Sequence, residues 1–151
     1  NIMYKNILVA IDDSATSLCA LKEAAHIART SSAKLYIAHV ADETLLNMHH
    51  HVFAHMADAD NNAMTTLTQA GQKLLDEAMQ SATGIDAAPL LLHASNRRVS
   101  ETIAEKATEL GADLIVIGRH GQRGLTKLII GSVAEQVAKI ATPSVLLVRK
   151  H

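Results

Sequence analysis

The sequence predicts an α/β domain in which a parallel sheet carries helices on both faces. Three observations predict it. Five short apolar runs recur along the chain. Amphipathic stretches with helical spacing stand between them. The apolar runs are continuous rather than alternating, the pattern of strands buried on both faces. Strands of this kind that alternate with helices imply βαβ units, and right-handed crossovers then leave few topologies.

Taken in order, Ile7 to Ile11 is the first strand, and Asp12-Asp13-Ser14 breaks it. Leu18, Leu21, Ala25 and Ala28 recur at helical spacing within Thr16 to Arg29. Leu35 to Val40 is the second strand. Leu67, Leu74, Leu75 and Met79 predict a helix over 64–81. Pro89 introduces the third run, Leu90-Leu91-Leu92. Val99, Ile103, Ala107 and Leu110 form the next helical stripe, which Gly111 stops. Leu114 to Ile117 is the fourth strand. Val133, Val137, Ile140 and Ala141 predict the last helix, closed by Pro143. Val145 to Val148 is the fifth strand. The irregular segment 41–63 is long for a loop in a compact domain, so it is read as a lid or an insertion.

Composition narrows the function. The 151 residues suit one domain that buries roughly 70% of the surface of its unfolded chain. A net charge of −1 lacks the basic footprint of a duplex-binding protein. One Phe, two Tyr and no Trp cannot make the stacking platform of a single-strand binder. The one cysteine, Cys19, is read as a small buried hydrophobe and forms no internal disulfide. No apolar run reaches the roughly 18 residues of a membrane span. With no signal or targeting pattern, the expectation is a cytoplasmic protein without nucleic-acid or membrane partners.

In open parallel sheets, ligands bind beyond the carboxyl ends of the strands. The segment after the fourth strand, Gly118-Arg119-His120-Gly121-Gln122-Arg123-Gly124, is therefore the first to read. Glycine lets a backbone approach a ligand without a Cβ in the way. The stretch ends at Gly131-Ser132, which opens a helix, and a helix N-terminus favours anions. No Asp or Glu falls between Leu114 and Ala134, while Arg119, Arg123 and Lys127 do. The pattern is neither a Walker A loop nor the dinucleotide fingerprint. A ligand-free alternative is a tight turn before a helix that Ser132 and Glu135 close as a capping box.

The spacing Gly118, two residues, Gly121, nine residues, Gly131-Ser132 resembles the G-x2-G-x9-G-[ST] signature of the ATP-binding branch of the universal stress protein family. YKNILVAIDDSATS at the start resembles that family's first strand and its Asp-x-Ser turn. LYIAHV resembles its second strand and PSVLLVRK its last, so the likeness covers nearly the whole chain. Ala10 and Asp13 depart from the proline and glycine common in the family, and neither change removes a ligand-bearing side chain.

The resemblance implies a three-layer open sandwich over 1–151, with a five-stranded parallel sheet in the order 3-2-1-4-5 and a Rossmann-like adenine nucleotide site. Segment 41–63 is variable in the family. The resemblance places adenine against Ala10, Ile11 and Val40. Asp12 would meet a ribose hydroxyl or a water on phosphate-bound Mg²⁺; its alternative is a turn cap. Gly118, Arg119, His120, Gly121, Gln122 and Arg123 match the ribose and phosphate loop, and Gly131, Ser132, Val133 and Ala134 the helix start that completes it. The implied ligand is ATP, with Mg²⁺. The implied assembly is a homodimer through the last strand, Val145 to Val148, an apolar edge that needs cover.

An ATP-binding regulatory protein is the leading function. The alternative is a slow nucleotide hydrolase, for which His120 is the one candidate base in the segment. A response-regulator receiver is excluded, because Leu92 is followed by His93-Ala94-Ser95 and no aspartate ends the third strand. His49, His50, His51 and His55 raise a metal reading. No third ligand type at a recognised spacing accompanies them, so no metal site is assigned. His39 and His93 are read as satisfied core or rim residues.

Overall fold

Hydrophobic residues on both faces of each strand decide the architecture. The computed structural model describes residues 3–42, 57–120 and 130–150, with side chains described from 63 onward in the second span. Five parallel strands, β1 (Asn6–Ala10), β2 (Lys34–Ala41), β3 (Ala87–His93), β4 (Leu114–Gly118) and β5 (Ser144–Val148), form one sheet in the order β3-β2-β1-β4-β5. The helices between them are α1 (Ala15–Ser31), α2 (Ala57–Gln80), α3 (Val99–Glu109) and α4 (Ser132–Ile140).

Successive side chains of a strand point to opposite faces. Ile7, Val9, Leu35, Ile37, Leu114 and Val116 therefore meet α1 and α2 on one face. Leu8, Ala10, Ala38, Ile115 and Ile117 meet α3 and α4 on the other. Continuous apolar runs are what a sheet covered twice requires. Few aromatics are available, so alanines build much of the packing: α1 contributes Ala20, Ala24, Ala25 and Ala28. Leu8 is fully buried at the centre. Leu8→Ala is expected to cost about 3 kcal/mol in urea unfolding, as lost transfer energy plus a residual cavity.

Several details differ from the sequence expectations. Leu18 is 51% exposed. The buried stripe of α1 runs through Ser17, Ala20, Leu21, Ala24, Ala25 and Ala28, which turns Leu18 outward by about 100° from Ser17. Pro89 stands inside β3 rather than before it. That strand pairs only with β2, and a residue without an N–H is tolerated at a sheet edge. The helix after β2 begins at Ala57, so the irregular segment is shorter than 41–63. In α4 the buried positions are Ala134 and Val137, while Ile140 is exposed. Gly111 follows α3 at φ +65°, the left-handed conformation that ends helices. None of the described helices is long and apolar enough to cross a membrane.

Gly71 is a second position where size decides. A Cβ there would lie 2.8 Å from Leu91 Cδ1 and 2.9 Å from His39 Cδ2. Gly71→Ala is expected to lower stability by about 1 kcal/mol in thermal unfolding. Overpacking of a few kcal/mol outweighs the roughly 1 kcal/mol gained in helix propensity.

Candidate nucleotide site

Strand order reverses between β1 and β4, since the chain proceeds outward to β2 on one side and to β4 on the other. A crevice at that point is where open α/β sheets hold ligands. Ala10 is in register with Ile117, so Ile11-Asp12 and Gly118-Arg119 leave neighbouring strands side by side. Two distant segments singled out in the sequence thus meet.

The turn after β1 is held by its own side chains. Asp12 N–H donates to Ser17 Oγ at 2.8 Å, and Ser14 N–H donates to Asp12 Oδ1 at 2.8 Å. Ser14 Oγ in turn accepts from Ser17 N–H at 3.2 Å and caps α1. Asp12 therefore does act as a turn cap, through one carboxylate oxygen. Its side chain is half-buried, and Asp13 beside it is exposed.

Ala10 and Val40 lie on the α3/α4 face. Ile11 lies on the opposite face, packed with α1. The three residues expected to surround adenine therefore do not form one wall. Ile11 also donates its N–H to Ala38 O at 2.8 Å, and its carbonyl meets His39 Nδ1 at 2.9 Å.

β4 ends at Gly118, whose missing side chain has a packing cause. A Cβ there would lie 2.9 Å from Thr16 Cγ2 and 3.2 Å from the Thr16 carbonyl carbon. The first turn of α1 occupies that space. Next, Arg119 N–H donates to Val148 O at 2.8 Å, and Arg119 O accepts from Gly131 N–H at 2.8 Å. Residues 119 and 131 are thereby clamped together. Gly121, Gln122, Arg123 and Lys127 fall within that stretch, outside the described residues.

The capping box does not form. Helix α4 starts at Ser132 itself, and its cap residue is Gly131, with no side-chain cap bond. Ser132 is one position too late to cap, and Glu135 pairs with Lys139 at 3.2 Å. Glu135 N–H reaches Gly131 O at 2.9 Å, and the earlier donors of Ser132, Val133 and Ala134 have no cap side chain among the described residues. Gly131 has φ −60° and ψ 148°, open to any residue. Its backbone geometry therefore does not demand glycine.

His120 Nδ1 is shielded from solvent and has no hydrogen-bond partner among the described residues. A buried polar atom left so costs about 1–3 kcal/mol. Arg97, beyond β3, is engaged elsewhere. It pairs with Glu105, and that hydrogen bond first, with the nearby Glu105, Glu101 and Glu109 charges, raises its pKa against the opposing effect of desolvation.

The universal stress protein family model matches residues 3–149. The chain belongs to the universal stress protein family. Universal stress protein YxiE of Bacillus subtilis (strain 168) is 33% identical over 97% of this chain and 100% of its own length. The hypothetical protein MJ0577 superposes with a TM-score of 0.82 at 25% identity, covering 99% of both chains. A universal stress protein solved in complex with cAMP has a TM-score of 0.66 at 27% identity, covering 97% of this chain and 98% of the other. Membership accounts for the sheet order.

Sequence reasoning missed Ser17, and it read His39 as a satisfied residue without naming its partner. By pattern His39 reads as core or rim, and in the structure it is a hydrogen-bonding partner of the residue before Asp12. The spacing of Ser14 and Ser17 is the available signal for the turn. His49, His50, His51 and His55 lie outside the described residues.

Proposed function

We propose that this chain binds ATP, with Mg²⁺, and acts as a nucleotide-dependent regulatory protein of the ATP-binding branch. The observation that carries this reading is the start of α4, with no capping side chain among the described residues, clamped through Gly131 and Arg119 beside the end of β4. Backbone N–H groups and the helix dipole there suit phosphate oxygens. The glycine signature and the cAMP complex of the related universal stress protein support an adenine nucleotide.

In this reading Ala10 and Val40 face the base on the α3/α4 side, and Ile11 anchors the strand end. Asp12 uses its second carboxylate oxygen for a ribose hydroxyl or a Mg²⁺-bound water. Mg²⁺ would supply charge neutralisation between phosphate oxygens. Gly118, Arg119, His120, Gly121, Gln122 and Arg123 supply the loop, and Ser132, Val133 and Ala134 the helix start. Val145, Leu146 and Leu147 of β5 are only half-buried in the single chain, which supports a homodimer across that edge. Cytoplasmic residence accompanies the proposal.

His120 Nδ1, which has no partner among the described residues, favours a second reading, slow nucleotide hydrolysis with His120 as base. His120→Ala separates the two. ATP affinity is expected to change less than about threefold, because the main chain does the binding, while any hydrolysis measured by phosphate release falls to background. A large loss of affinity would overturn the backbone assignment. The proposed binding is tested by calorimetric titration of Mg²⁺-ATP into the nucleotide-free protein.

A further inference from the structure

The peptide group between Ile11 and Asp12 is held at both ends by side chains from different elements. Its carbonyl, on Ile11, meets His39 Nδ1 of β2 at 2.9 Å. Its N–H, on Asp12, donates to Ser17 Oγ of α1 at 2.8 Å. Ile11 N–H, bonded to Ala38 O, carries the β1–β2 pairing one residue past Ala10. These two side chains hold the peptide that follows.

We propose that His39 is a positioning residue that, with Ser17, locks the plane of the Ile11–Asp12 peptide and so aims the Asp12 carboxylate into the ligand crevice. The proposal rests on the nucleotide reading of that crevice. A carbonyl can only accept, so His39 Nδ1 carries a proton and donates it to the Ile11 carbonyl. The ring itself is clamped. Gly71 of α2 leaves room for it: a Cβ there would stand 2.9 Å from His39 Cδ2 and 3.5 Å from Nε2. Strand, helix and strand end thus converge on one imidazole. Without its bond the peptide can rotate, and Asp12 loses its fixed direction even where its own Oδ1 bond to Ser14 persists. A pre-set direction matters because a ligand then bears no cost for ordering the carboxylate.

Three measurements test this. Long-range ¹H–¹⁵N correlation on the parent protein at pH 8.5 should show His39 as the Nδ1–H tautomer. Calorimetry with Mg²⁺-ATP should show His39→Leu about tenfold weaker, since the variant forfeits the defined carboxylate contact. His39→Asn, whose Nδ2–H stands as many bonds from the backbone as Nδ1–H, should bind within about threefold of the parent. Ser17→Ala, which removes the other hold on the same peptide, should weaken binding similarly, and thermal melts identify which variants are folded. The double variant His39→Leu/Ser17→Ala should be no weaker than either single one by more than about twofold, because both act on one peptide. An Nε2–H tautomer, or a folded His39→Leu protein that binds as the parent does, overturns the lock. A parent that binds no ATP overturns the nucleotide reading and this proposal with it, whereas the tautomer reports the lock separately.

Discussion

Gly118→Val is expected to destabilise the protein by about 3 kcal/mol, a fall of roughly 6–12 °C in melting temperature for a domain of this size. Even the first added carbon would stand 2.9 Å from Thr16 Cγ2 and 3.2 Å from the Thr16 carbonyl carbon. The backbone at Thr16 cannot step aside alone, because Thr16 lies in the turn that Ser14 caps and Ser17 ties to Asp12. The strain therefore spreads to the Asp12 turn. The valine also brings two further carbons into the same wall. Urea unfolding and a thermal melt check the prediction. A midpoint unchanged from the parent would show that α1 does not pack on the end of β4 as described.

Gly121→Val is expected to act in the opposite manner, with stability kept and ATP binding lost. Its reasoning comes from the glycine signature and the acid-free neighbourhood, since Gly121 lies outside the described residues. If main-chain N–H groups hold the phosphates, a branched side chain at the approach excludes them. The expected loss is about a hundredfold or more in calorimetric affinity, corresponding to two or more charge-assisted hydrogen bonds. Unaltered affinity would refute the phosphate-loop assignment. Gly118 and Gly121 thus belong to one sequence motif but are expected to fail differently, one in folding and one in binding.

That contrast shows what the sequence could and could not reveal. The strands were legible because burial on both faces leaves no room for polar alternation in runs such as Ile7 to Ile11. The end of each strand was legible from where those runs stop. Side-chain phase was less legible: Leu18 looks core-facing by spacing, but Ser17 and the alanines set the buried stripe. Pro89 reads as a boundary in sequence and is tolerated inside β3 only because that strand is an edge. Ser132 and Glu135 spell a capping box, and a one-residue difference in where α4 starts removes it. Gly118 resembles a phosphate approach, whereas its contact with Thr16 links residues about a hundred positions apart. The partner of His39 is likewise a backbone carbonyl, which no residue pattern encodes.

The central claim is that a site built chiefly from main-chain groups at the β1/β4 switch point holds ATP. Composition sharpens it: with almost no aromatics and a net charge of −1, neither base stacking nor a basic surface can substitute for local amides. The most direct measurement is a calorimetric titration of Mg²⁺-ATP into protein freed of nucleotide by denaturation and refolding. Saturable binding with one ATP per chain is the predicted result. A refolded protein that gives no saturable heat, and whose denatured starting material released no adenine nucleotide, would contradict it.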